Sequence, residues 1–169
     1  TGVPLLGTGL EAIEAAEDRG QFSAILGDLG ISQPEGGAVR STEEALRLAG
    51  RLGYPLMVRP SFVIGGLAMA LVENEADLKA VLAQAFEAMP GQSVLVDRFL
   101  SGMEYELDAV CDGGDVLVPG IFEHLDPAGI HSGDSMAVFP DLSLSPAQRE
   151  EMMRIVSSIA EALDVKGLL

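Results

Sequence analysis

The sequence predicts an α+β protein of two lobes, and three observations predict it. Helical periodicity dominates up to residue 54, the period then switches to that of short strands, and a helix and a strand return after residue 145. Leu10, Ile13 and the alanines at 12, 15 and 16 make a helical stripe ending near Arg19-Gly20. A second helix covers Phe22 to Leu29 and stops at Gly30. Ser41 with Glu44 forms a capping-box pattern for a third helix, to Leu52, closed by Gly53. Thr1 to Thr8 read as a short strand and turn, whose abrupt start suggests a cut inside a longer polypeptide.

Strands follow. Pro55 to Arg59 is short and apolar, and Ala68 to Glu73 is a second strand. Asn74 caps a helix through Met89. Three more strands fall at Ser93–Phe99, Glu104–Cys111 and Val116–Glu123, with Asp112-Gly113-Gly114 turning the last two into a hairpin. Met136 to Phe139 is a further short strand. Ser145, Pro146 and Gln148 supply an N-cap, a first-position proline and an N3 partner for a helix to Leu163. Lys166 to Leu169 opens a last strand. A ligand site between the two lobes is the natural expectation for this layout.

Composition narrows the partners. Ten basic against 26 acidic residues give a net charge of −16 and a pI near 4.2. Such a surface repels nucleic acid and anionic lipid, so neither is an expected partner. No apolar run is long enough to span a membrane and no signal peptide opens the chain, so a cytoplasmic protein is expected. The single cysteine, Cys111, sits among Leu107, Ala109 and Val110 and reads as an inert core thiol.

Against this acidic background three stretches can carry chemistry. In Arg59-Pro60-Ser61-Phe62-Val63-Ile64-Gly65-Gly66, a strand ends in an arginine and enters a glycine pair, which suits phosphate oxygens. On spacing alone an ordinary turn with a surface arginine is favoured, and neither a Walker loop nor a dinucleotide glycine signature is present. In Val94 to Leu100, an apolar strand with free edge amides can read an adenine. Taken alone it reads as a core strand beside an acidic hairpin. Glu104, Glu106 and Asp108 share one strand face, which needs solvent or cations opposite it. The third stretch is Glu123-His124 with Gly129-Ile130-His131-Ser132-Gly133-Asp134-Ser135, holding both histidines of the chain. It can offer amides, hydroxyls and an imidazole to an anionic intermediate, or be a polar loop with a structural histidine. A zinc site is not expected there, and no metal ligand is assigned within the chain.

Taken in order, these stretches resemble one family. Ala16-Glu17-Asp18-Arg19, Gly53-Tyr54-Pro55-Leu56-Met57-Val58-Arg59 through Gly66, and Glu123-His124 with Gly129 to Ser135 are similar to an ATP-grasp domain of the carbamoyl phosphate synthetase large subunit. Glu-His before a His-Ser-Gly-Asp-Ser loop resembles the C-terminal half, which phosphorylates carbamate. The resemblance implies two α+β lobes with the nucleotide between them, incomplete at the C-terminus. Residues 1–54 would hold the end of a preceding strand and a helical linker region, 55–140 the nucleotide-binding lobe, and 141–169 the start of a second lobe.

The same resemblance implies residue roles. Arg19, Arg59 and His131 would be the catalytic residues, the two arginines contacting phosphates and stabilising charge that develops on the transferred group. Gly65 and Gly66 would close over the triphosphate. Val96, Asp97, Arg98 and Leu100 would line the adenine pocket, largely through backbone, and Glu104 would hold the ribose. Gly129, Ile130, His131 and Ser132 would line the nucleotide and carbamate pocket. Leu67 stands where this half usually has an arginine. ATP and Mg²⁺ are the implied cofactors, with the Mg²⁺ ligands expected beyond Leu169, so the isolated chain is expected to be inactive. The intact enzyme would join bicarbonate, glutamine-derived ammonia and two ATP into carbamoyl phosphate for arginine and pyrimidine synthesis. A glutaminase small subunit would be its partner. Other readings are a different ATP-grasp ligase, such as a biotin carboxylase-like enzyme, and a non-catalytic acidic interaction module.

Overall fold

The computed structural model describes residues 6–60, 69–126, 128 and 136–169, without the side chains of Arg19 and Pro60. Helices α1 (Leu10–Glu17) and α2 (Arg19–Asp28) come first, followed by β1 (Gly36–Val39), α3 (Thr42–Leu52), β2 (Leu56–Pro60), β3 (Ala70–Val72) and α4 (Glu75–Ala88). The chain continues through β4 (Val94–Arg98), β5 (Tyr105–Leu107), β6 (Val110–Asp112), β7 (Val116–Leu117) and β8 (Ile121–His124). It ends with β9 (Ala137–Val138), α5 (Pro146–Ala162) and β10 (Lys166–Leu168). Every strand pairing among the described residues is antiparallel.

Pro34–Gly102 form one compact unit, and the other described residues form a second. Helix α3 therefore groups with the strands that follow it, although the sequence reading placed it with residues 1–54. The reason is packing: Ala45, Leu48 and Ala49 of α3 share a buried cluster with Leu56, Val58, Val94 and Val96.

In the unit Pro34–Gly102 the sheet order is β1-β4-β2-β3. Alternation along the strands separates its two faces. Val39, Leu56, Val58, Val72, Val94 and Val96 are buried against Leu78, Leu82 and Ala85 of α4 and the apolar face of α3. Each fully buried aliphatic side chain there contributes roughly 1.5–3 kcal/mol of transfer free energy. The alternate residues, Met57, Arg59 and Leu95, lie on the opposite face and are half-buried. The helices start where their caps dictate. Asn74 Oδ1 accepts from the N–H groups of Ala76 and Asp77 at 3.0 Å each. Ser41 Oγ accepts from Glu44 N, while the Glu44 carboxylate reaches back past the cap to the N–H of Arg40.

In the second unit Val156 and Ala160 of α5, with Leu163 just after it, cluster with Ala109, Cys111 and Val165, so the thiol is buried in a core as its neighbours suggested. Ser145 and Gln148 complete a reciprocal capping box. The long hairpin expected across 104–123 is present but broken. β6 pairs with β7, and β5 pairs with β8 one residue out of step, because residues 108–109 face 118–120 across the gap. That extra residue is a bulge at Pro119-Gly120, where proline lacks an N–H for the ladder. It sends β5 into the sheet β5-β8-β9 and leaves β6 between β10 and β7.

Candidate functional site

The open face of the sheet in Pro34–Gly102 carries the first part of the site. Arg59 and Asp97 lie diagonally across the β2–β4 pairing, since Arg59 is opposite Leu95 and Asp97 is opposite Met57. The Arg59 guanidinium donates through Nη2 to Asp97 Oδ2. Asp97 is almost fully buried and Arg59 only partly so, with 8% and 31% of their side chains exposed. Arg59 Nε is buried and has no hydrogen-bond partner among the described residues. The guanidinium thus gives this desolvated side chain an opposite charge as its partner.

The adenine reading requires a correction. β4 is an interior strand, paired with β1 and β2 on either side, so Val94 to Asp97 offer no free edge. Val96 is also turned into the core. Pairing ends just beyond: Arg98 N donates to Glu35 O at 2.7 Å and Phe99 N to Pro55 O at 3.1 Å. The carbonyl of Arg98 and the N–H of Leu100 have no partner among the described residues. In an extended chain these groups, two residues apart, point to the same edge, where β1 has ended. An acceptor and a donor so spaced match the edge of an adenine ring. The Arg98 side chain is engaged elsewhere, on Leu52 O at 3.0 Å and Glu35 Oε2 at 3.2 Å.

Glu104 belongs to the other unit. Its carbonyl accepts from His124 N at 3.0 Å, and its carboxylate has no partner among the described residues. His124 is buried and its Nε2 lies 3.2 Å from Glu106 Oε2, which supplies a partner for the acidic face of β5. The buried Glu123 carboxylate accepts from the N–H groups of Leu142 and Ser143 at 2.7 and 2.8 Å. The Leu142 N–H is the main cause that holds the Glu123 carboxyl below the usual carboxylate range. Asp141 is held low in the same way by the Arg149 fork, whose contacts measure 2.7, 3.0 and 3.2 Å. These bonds tie β8 to the start of α5.

Arg19 is the first residue of α2. Gly65, Gly66, Leu67, Gly129, Ile130, His131 and Ser132 lie outside the described residues. Among the described residues no three His, Cys, Asp or Glu side chains come together in a group that could hold a metal ion. No helix among them is long and apolar enough to cross a membrane. A cavity of about 490 Å³ lies between the β6–β7 turn and α5, lined by Cys111, Asp115 and Glu161 and remote in sequence from Arg19 and Arg59. Sequence reasoning missed Gly36 and the side-chain role of Asp97. A glycine pair before Ala38-Val39 was the available sign of a strand in close approach.

Residues 18–168 match the family model described as the carbamoyl-phosphate synthase L chain, ATP binding domain. The chain belongs to that family. It is 48% identical over 168 residues to the carbamoyl phosphate synthase large chain of Thermomicrobium roseum, covering 99% of this chain and 16% of that one. Solved structures share the architecture. D-alanyl-alanine synthetase A from Vibrio cholerae superposes with a TM-score of 0.80 at 17% identity, over 99% of this chain and 54% of its own. The biotin carboxylase domain of Hydrogenobacter thermophilus 2-oxoglutarate carboxylase, solved with MgADP, ADP and bicarbonate, also gives 0.80, at 22% identity over 99% and 38%. The ATP-grasp fold expected from the sequence is thus the fold of this chain.

Proposed function

We propose that this chain is the ATP-binding segment of a carbamoyl phosphate synthase large chain, in the half that phosphorylates carbamate. The observation that carries the nucleotide reading is the unpaired acceptor and donor at Arg98 and Leu100, on the sheet that presents Arg59. The adenine would meet that backbone, the phosphates would meet Arg59 and Arg19, and Glu104 would accept from the ribose hydroxyls. Gly65-Gly66 and Gly129-Ile130-His131-Ser132 would complete the phosphate and carbamate contacts. Mg²⁺ would neutralise the triphosphate, with ligands supplied from outside the described residues. The 48% identity to a carbamoyl phosphate synthase, against 22% to a biotin carboxylase, favours the first over the second.

In the whole enzyme, bicarbonate, glutamine-derived ammonia and two ATP would yield carbamoyl phosphate in the cytoplasm, with a glutaminase subunit as partner. The chain alone would bind nucleotide weakly and be inactive. The test is Mg²⁺-dependent ATP formation from ADP and carbamoyl phosphate, using the chain extended to the length of its relative. Activity that disappears in Arg59→Ala supports the reading, and a folded, extended protein that binds no nucleotide refutes it.

A further inference from the structure

We infer that the Asp97 carboxylate acts as a positioning residue for Arg59, fixing its guanidinium for a triphosphate, rather than touching the nucleotide itself. The inference rests on the nucleotide reading above and adds a side-chain role to a residue otherwise expected to act through backbone.

Three observations carry it. Asp97 has only 8% of its side chain exposed, and a carboxylate so placed has no use for solvent as its partner. It takes one end of the Arg59 fork, Nη2, and leaves the rest of a planar group whose orientation is then set. Gly36 sits opposite Asp97 in the β1–β4 register, and a Cβ there would overlap Asp97 Oδ1. The sheet therefore leaves room for the carboxylate at the cost of a side chain on the neighbouring strand. The other arginine nearby in sequence, Arg98, is bound to Leu52 and Glu35 and does not compete for Asp97. A free arginine must lose its rotamer freedom when it grips a phosphate; one already held loses less.

The experiment compares ATP with adenosine, whose difference isolates the phosphate contacts, by ligand-observed NMR titration of the 169-residue chain and of its Asp97→Asn, Arg59→Ala and doubly substituted forms. The expected result is about tenfold weaker ATP binding in Asp97→Asn, or about 1.4 kcal/mol, with adenosine unchanged. On the Arg59→Ala background the same substitution should add nothing. An unchanged ratio of ATP to adenosine affinity in Asp97→Asn overturns the inference, whatever happens to its melting temperature. A wild-type chain that binds neither ligand overturns the nucleotide reading and this inference together. Independently of any variant, the Arg59 Nη nitrogens of the free wild type should give separate NMR signals, since the guanidinium cannot rotate; a single averaged signal overturns the inference.

Discussion

Two adjacent glycines make a sharp test of the packing. Gly36 and Gly37 are neighbours in β1 and point to opposite faces of the sheet, and neither has a positive φ. A Cβ on Gly37 would meet only Leu48 Cδ2, at 3.9 Å, an ordinary contact. A Cβ on Gly36 would lie 2.6 Å from Val96 O and 2.8 Å from Asp97 Cα, both backbone atoms of β4. Alanine gains about 0.5–1 kcal/mol over glycine within a strand from the unfolded chain's lost freedom. Gly37→Ala should keep that gain. Gly36→Ala adds an overlap costing about 1–3 kcal/mol, and it disturbs the Asp97–Arg59 pair besides. β1 is an edge strand and can yield, so the net loss should be about 2 kcal/mol. The two variants then differ by about 3 kcal/mol, or roughly 1–3 M in urea midpoint at an ordinary slope. Urea unfolding followed by circular dichroism measures this. Coincident midpoints for the two variants would refute the close approach of β1 to β4.

Two further outcomes follow from the core and from a buried carboxylate. Leu82→Ala, at a fully buried position of α4, should cost about 2–5 kcal/mol in urea unfolding, whereas Leu117→Ala, at a position 64% exposed, should stay within about 0.5 kcal/mol. Glu123 has its folded pKa depressed, so its contribution is complete above the unfolded value of about 4.3 and is lost as pH falls through the lower folded value. Glu123→Gln should therefore be less stable than wild type at neutral pH and converge on it in acid, as thermal melts across pH 2–7 would show; a gap that widens in acid would contradict the assignment.

Much of this was legible because it is local. Ser41, Asn74 and Ser145 announced their helices through side-chain oxygens three or fewer residues from the N–H groups they accept. The short apolar runs of β2 and β4 likewise marked strands. What sequence could not supply was long-range. β1 escaped notice because Gly36-Gly37 has no side chains to show a period of two, and only its partner β4 explains the glycine. That β1 exists also placed β4 in the interior, which removed the free edge expected from Val94 to Asp97 and left it beginning at Arg98. The bulge at Pro119-Gly120 was hinted at by the proline, but the resulting one-residue offset depends on which strand lies opposite. Arg59 was singled out from its position at the end of a strand. Its partner, 38 residues away, appears only once the two strands are laid side by side.

The division of the central sheet into an aliphatic face and a face bearing Arg59 and Asp97 has a bearing on how the chain finds its fold. Side chains alternate with a period of two, so sliding β2 or β4 by one residue would turn every one of them over. Such a slip would press a guanidinium or a carboxylate against Leu78 and Leu82 and put Val58, Val94 or Val96 into water. Misregistered sheets of similar backbone quality are thus heavily penalised by the charges, while an all-aliphatic pair of strands would tolerate them. Arg59, proposed to meet the phosphates, and Asp97, proposed to hold it, would also serve, before any ligand arrives, as a check on the alignment of the strands that carry them.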